Sequence, residues 1–334
     1  MSVLLQQGFI RLSKEVVRIM MRNQIAVAFP GQGSQRPGMG KDFFDRFDVC
    51  RKTYEEASDS LGWDVAALCF GQDERLNMTE FTQPCIVTTE VAMLRCLQQA
   101  YGFAPSVFGG HSLGEFTALV AADALPLAEA LRIVQIRGRL MQQATPVGMG
   151  GMSAVISENL DAELLRNVLV DFPIDVANIN SPRQIVISGE AKAMPAAEEL
   201  LKESFGKDRP FRFVSLNVSA PFHSRFMRSV EEAFADIFQT IGRGLDPEKA
   251  RQVTSNFTGA FHTGEAEAIS NALAAQISNT VYWQDNMMGL AETAERIFEI
   301  GPSRPLREFF KSLPVTCLSI TTLSGAERIF AENN

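Results

Sequence analysis

Gly110-His111-Ser112-Leu113-Gly114 fits the pattern G-x-S-x-G. In a nucleophile elbow, a sharp strand-to-helix turn pushes the serine hydroxyl into the open, and the flanking glycines let the two backbones pack closely. A serine hydroxyl is a weak nucleophile at neutral pH and needs a base. The chain has three histidines, His111, His223 and His262. His111 adjoins Ser112, so on an elbow its side chain points away, which suits support of the turn or of an oxyanion loop. His262 lies in the polar stretch Thr258-Gly259-Ala260-Phe261-His262-Thr263-Gly264 and reads as a surface-loop residue. Elimination favours His223, in Ser219-Ala220-Pro221-Phe222-His223-Ser224, where small and turn-forming residues suit a side chain aimed into a cleft.

Arg137 is the third informative residue. In the helical pattern from Leu127 to Ala144, positions 130, 134, 137 and 141 share one face. Ala130, Val134 and Met141 are apolar, and Arg137 is not. An arginine on such a face needs an anion, because an unpaired buried charge is costly. Two readings stand side by side here. One is an internal salt bridge or a side chain that snorkels to water; the other is a bidentate clamp on a substrate carboxylate.

The surrounding elements set the fold class. Ile25 to Phe29 is a short apolar run stopped by Pro30-Gly31 and reads as a buried strand. Gly31 to Gln35 is a glycine-rich loop, and residues 41–62 carry helical periodicity. Thr82 to Gln99 reads as a helix with Pro84 in its first turn. Ser106-Val107-Phe108 reads as a strand leading into the elbow, followed by helices over Glu115 to Ala122 and Leu127 to Ala144. Strands alternating with helices imply a mainly parallel sheet covered on both faces. After Gly148 the rhythm becomes βαββαβ: strands from Met152, Ile174, Gln184 and Arg212, and helices from Leu160 and Ala193. That is a ferredoxin-like arrangement. The expected architecture is therefore an α/β-hydrolase-like large lobe (25–146 and 219–334) with an inserted ferredoxin-like small lobe (147–218).

Composition narrows the function classes. The net charge of -8 argues against a general nucleic-acid binder, which needs a basic face. No apolar run approaches the ~18 residues of a membrane span. Cys50, Cys69, Cys85, Cys96 and Cys317 form no CxxC pair, which points to buried thiols in a reducing, cytoplasmic setting and gives no metal spacing. Residues 1–24 interleave Arg11, Lys14, Arg18 and Arg22 with apolar residues. They read as an amphipathic extension, a mistaken start or a docking segment, and lack the pattern of a secretory signal.

Six motifs then fall in order. They are Phe29-Pro30-Gly31-Gln32-Gly33-Ser34-Gln35, Gly110 to Glu115, Arg137-Gly138-Arg139-Leu140-Met141, Asn178 to Gly189, Ala220-Pro221-Phe222-His223-Ser224 and Glu299-Ile300-Gly301-Pro302. The series resembles the malonyl-CoA:acyl carrier protein transacylase family, including the free-standing acyltransferases of polyketide synthases, over about residues 25–325.

The resemblance implies that Ser112 is acylated, that His223 is its base, and that the N–H groups of Gln32 and Leu113 form the oxyanion hole. It implies that Arg137 pairs with the malonyl carboxylate and that His111 and Asn180 belong to the substrate site. Phe222 would narrow the pocket around the acyl α-carbon, favouring malonyl over methylmalonyl. The histidine would be oriented by the main-chain carbonyl of Gln276, although Thr280 stands where the family commonly has proline. The implied substrate is malonyl-CoA, with no permanently bound cofactor. The implied partner is a holo acyl carrier protein in fatty acid or polyketide synthesis, and the implied state is a monomer. Arg209, Arg212, Arg225 and Arg228 are candidates for a local basic docking surface. Two rival readings are an acyl hydrolase that clears carrier proteins, which needs no Arg137, and a non-catalytic carrier-docking module, which needs no intact Ser112 and His223.

Overall fold

A strand buried on both faces must be apolar on both faces, and Ile25–Phe29 (β1) meets that condition at the centre of the large sheet. Its residues alternate between two cores: Val27 and Phe29 enter one, Ala26 and Ala28 the other. The structure is a computed structural model that describes residues 24–331 apart from 147, 207–209 and 219. The expectation for residues 1–24 thus falls almost wholly outside the described residues, as does Arg209.

After β1 the chain forms α1 (Lys41–Arg46), α2 (Asp48–Leu61), α3 (Val65–Phe70) and α4 (Thr79–Tyr101). β2 (Val107–Gly110), α5 (Gly114–Ala121) and α6 (Leu127–Gln143) follow. The small lobe contributes β3 (Gly150–Ile156), α7 (Ala162–Val168), β4 (Ile174–Ser181), β5 (Gln184–Glu190), α8 (Met194–Phe205) and β6 (Arg212–Ser215). The return to the large lobe carries α9 (Arg228–Ile241), α10 (Pro247–Ala250), α11 (Ala266–Ala275) and α12 (Trp283–Thr293). The last elements are β7 (Arg296–Ile300), α13 (Leu306–Phe310), β8 (Cys317–Ile320) and α14 (Leu323–Ala331).

The large sheet is parallel with strand order β2-β1-β7-β8, and the small one is antiparallel with order β4-β5-β3-β6. The βαββαβ order and the two-lobe α/β expectation both hold. The pattern over 41–62 is two helices, broken where Phe47 turns extended. The helix expected from Thr82 starts instead at Thr79, which leaves Pro84 inside it. Thr82 Oγ1 donates to the carbonyls of Leu76 and Met78, so a side chain anchors the early start.

One contact joins the lobes directly beside the site. Val281 donates to Ala177 O at 2.8 Å and its own carbonyl accepts from Ile179 N at 2.9 Å. The large-lobe stretch before α12 thereby pairs with β4 of the small lobe.

Candidate active site

Ser112 sits where β2 ends and α5 begins, with φ of 51°. A left-handed serine costs about 1–3 kcal/mol and persists only where the surroundings over-determine it. Here they do. A Cβ on Gly110 would lie 2.0 Å from the Gly114 backbone, and one on Gly114 would lie 2.2 Å from Phe29 O. The turn is thus as tight as the G-x-S-x-G pattern requires. His223 is also left-handed, at φ 57°, in the segment that returns from the small lobe.

The two side chains meet. Ser112 Oγ lies 2.8 Å from His223 Nε2, and His223 Nδ1 lies 2.6 Å from Gln276 O. If Nδ1 carries the proton, it donates to that carbonyl and leaves Nε2 free to accept from the serine. Burial is the first cause that lowers the His223 pKa to about 3, and the Arg137 charge adds to it. The Gln276 carbonyl works in the opposite direction.

Arg137 is 1% exposed and reaches the same oxygen, with Nη2 3.1 Å from Ser112 Oγ. Nη2 also donates to Gln276 Oε1 at 2.9 Å, and Nη1 to Gln83 Oε1 at 3.1 Å. Burial lowers its pKa to about 10, with the Glu115 charge opposing, so it stays cationic at neutral pH. Its direct hydrogen-bond partners in the structure are neutral side chains. Of the two readings left open by the helix pattern, internal pairing is thus indirect, by way of Gln276 to Glu115, and the guanidinium faces the nucleophile.

The Gln32 loop closes the other side. A Cβ on Gly31 would come within 2.5 Å of His111 O, so only glycine lets this loop lie against the elbow. The Gln32 side chain is tied down by Thr79 Oγ1 at 3.1 Å. Leu113 follows the nucleophile directly, at the start of α5, where N–H groups lack intrahelical acceptors. His111 Nε2 lies 2.8 Å from Asn180 Oδ1 on β4, which links the elbow to the small lobe. Burial lowers the His111 pKa. Gln32, His111, Ser112, Arg137, Asn180, Phe222 and His223 all line one cavity of about 480 Å³ between the lobes, with Met141, Met152 and Phe309 among its apolar walls.

The chain matches known proteins along most of its length. The family described as "Acyl transferase domain" matches residues 27–307. The malonyl CoA-acyl carrier protein transacylase of Bacillus subtilis (strain 168) is 36% identical over 299 residues, covering 87% of this chain and 90% of that protein. The chain belongs to the malonyl-CoA:acyl carrier protein transacylase family. Among solved structures, FabD from Acinetobacter baumannii has a TM-score of 0.85 at 33% identity, covering 93% of this chain and 98% of that one. A malonyl-transacylase in complex with its type II PKS acyl-carrier protein has a TM-score of 0.83 at 34% identity, covering 93% and 100%.

Within this transacylase fold, one sequence expectation is corrected and three residues are added. His262 is not a surface-loop residue. It is buried, with Nε2 3.0 Å from Glu115 Oε1. The polar stretch folds back on itself through the Thr254–Phe261 bridge and the His262 N to Val253 O bond, which turns the imidazole inward. Gln83, Glu115 and Asn256 are buried within hydrogen-bond reach of the site and carried no role in the sequence reading. Gln83 shares its helix with Thr82, Thr88, Thr89 and Glu90, so its polarity does not set it apart in the sequence. Arg225, a docking candidate, is paired with Asp175 at 2.6 Å. Among the described residues no helix is long and apolar enough to cross a membrane.

Proposed function

We propose that this chain transfers a malonyl group from malonyl-CoA to the phosphopantetheine thiol of an acyl carrier protein through a Ser112 ester. The observation that carries the reading is Arg137: a buried cation held against the nucleophile suits an acyl group that ends in a carboxylate. A hydrolase of simple acyl chains has no use for it.

The chemistry runs in two halves. His223 Nε2 takes the Ser112 proton as Oγ attacks the thioester carbonyl. The N–H groups of Gln32 and Leu113 stabilise the oxyanion. The tetrahedral intermediate collapses, the C–S bond breaks, and His223 returns the proton to the departing coenzyme A thiolate. The carrier thiol then attacks the malonyl-serine ester by the same steps, with Ser112 Oγ as leaving group, which is ping-pong kinetics. Arg137 fixes the malonate end while His111 and Asn180 shape the cavity, and Phe222 crowds the α-carbon. Arg137 must leave Ser112 Oγ free for acylation, and the incoming carboxylate supplies the competing partner.

In this reading residues 25–146 and 219–334 form the catalytic lobe and 147–218 the small lobe, with the cleft between them taking the pantetheine arm. The protein works as a cytoplasmic monomer with no permanently bound cofactor, serving fatty acid or polyketide synthesis.

The test is intact mass after incubation with malonyl-CoA, methylmalonyl-CoA and acetyl-CoA in turn, with and without a holo carrier protein. The expected result is a malonyl-sized adduct, absent in Ser112→Ala and discharged onto the carrier. Loading followed by loss to water alone would mean a hydrolase, and no adduct from any thioester would mean a non-catalytic docking protein.

A further inference from the structure

Glu115 lies one turn beyond Ser112 on α5 and is fully buried. Its Oε2 accepts from Asn256 N at 2.9 Å, Asn256 Nδ2 at 2.6 Å and Gln276 Nε2 at 2.6 Å. Its Oε1 faces His262 Nε2 at 3.0 Å. An ionised carboxylate only accepts hydrogen bonds, whereas a side-chain amide has one donating end and one accepting end. Both amino ends turn to Glu115, with Asn256 Nδ2 also donating to Gly110 O at 2.8 Å, so both amide oxygens point the other way. Asn256 Oδ1 accepts from Ser112 N at 3.2 Å, and Gln276 Oε1 accepts from Arg137 Nη2 at 2.9 Å. Gln276 also holds His223 through its main-chain carbonyl.

We propose that Glu115 is a positioning residue that fixes the direction of the Gln276 side-chain amide and through it the aim of Arg137. The inference rests on the malonyl-transfer reading, because only a carboxylate-bearing acyl group needs Arg137 aimed. A neutral group in place of Glu115 can donate as well as accept, so Gln276 is free to turn its NH2 toward the guanidinium. That places donor against donor and releases Arg137 from the cavity wall.

The experiment compares Glu115→Gln with wild type, reading kcat/KM for Ser112 loading from malonyl-CoA and from acetyl-CoA, with Tm measured in parallel. Acetyl lacks the carboxylate, so it reports the elbow without the arginine. The expected result is a malonyl-to-acetyl ratio reduced about tenfold or more in folded Glu115→Gln. Equal losses with the two substrates, or none, overturn the proposal, since a merely structural defect does not sort substrates. If Glu115→Gln does not fold, Gln276→Met decides, because it removes the side-chain amide and keeps the main-chain carbonyl that holds His223. The ratio should drop about threefold or more in that variant. An unchanged ratio in Gln276→Met overturns it. Wild-type protein that fails to load malonyl on Ser112 overturns the functional reading, and this inference with it. Wild-type loading with unchanged ratios in the variants overturns this inference alone.

Discussion

Arg137 Nη2 lies 3.1 Å from Ser112 Oγ, the same oxygen that His223 Nε2 approaches at 2.8 Å. A buried cation therefore borders both the nucleophile and the base. Removing one partner of a desolvated charge pair costs about 2–5 kcal/mol. Arg137→Ala should accordingly lower kcat/KM for malonyl-CoA by on the order of a hundredfold, while acetyl-CoA loading falls far less. Arg137→Lys should lie between, because an ammonium keeps the charge but lacks the planar fork. Full malonyl preference in the alanine variant would show that the carboxylate binds elsewhere.

The same proximity sets the pH response of the base. Burial and then the Arg137 charge lower the His223 pKa from 6.5 to about 3. A lowered pKa means that the neutral, proton-accepting form persists as pH falls, until the pKa itself is reached. The acid limb of kcat/KM reports the free enzyme, so it should lie well below 6.5. Acetyl-CoA loading measured between about pH 4.5 and pH 8 tests this without involving the clamp. In Arg137→Ala the limb should move up toward the ordinary histidine value, since one repulsive charge is gone. A wild-type midpoint near 6.5 would contradict the placement of His223.

Phe222 lines the cavity and is 7% exposed, directly before His223. One methyl group in such a pocket is typically worth about 1–3 kcal/mol of discrimination. Phe222→Ala should therefore raise the methylmalonyl-to-malonyl ratio of kcat/KM by about tenfold or more. Competition between the two thioesters, read by mass on Ser112, measures the ratio directly. No change would make Phe222 a packing residue of the large core.

Ser112, Arg137 and His223 were legible because each violates a local expectation: a serine between paired glycines, a charge on an apolar helix face, and a histidine in a chain with few of them. The sheet and the βαββαβ insertion were legible from the apolar runs and their spacing. Glu115, Asn256 and Gln83 were not, because their significance comes from convergence. Asn256 reaches Glu115 across 141 positions of chain, and Arg137 reaches Gln276 across 139. No periodicity encodes such a meeting. His262 misled for a related reason, since polar neighbours signal a loop but do not say which way the loop folds. The start of α4 was misplaced because the N-terminal anchor is a side-chain bond from Thr82 back to Leu76 and Met78.

Glu90 offers a stability test away from the chemistry. It is fully buried on α4; Oε2 accepts from Thr117 Oγ1 at 2.6 Å, and Oε1 has no partner among the described residues. Burial first, and the Glu299 charge with it, raise the Glu90 pKa well above 4.5, against the Thr117 hydrogen bond. Below pH 4.5 the folded and unfolded states both hold the proton, and the group costs nothing. As pH rises beyond that, the unfolded chain releases its proton first. Stability then falls by about 1.4 kcal/mol per pH unit until the folded pKa is passed. Glu90→Gln keeps an acceptor for Thr117 and removes the titration. Its Tm should match wild type near pH 4.5 and exceed it by at least a few degrees near pH 8, at about 2–4 °C per kcal/mol for a chain of this order of size. Thermal melts at the two pH values decide it. An equal offset at both would mean that the glutamine changes packing and that the carboxyl does not titrate with folding.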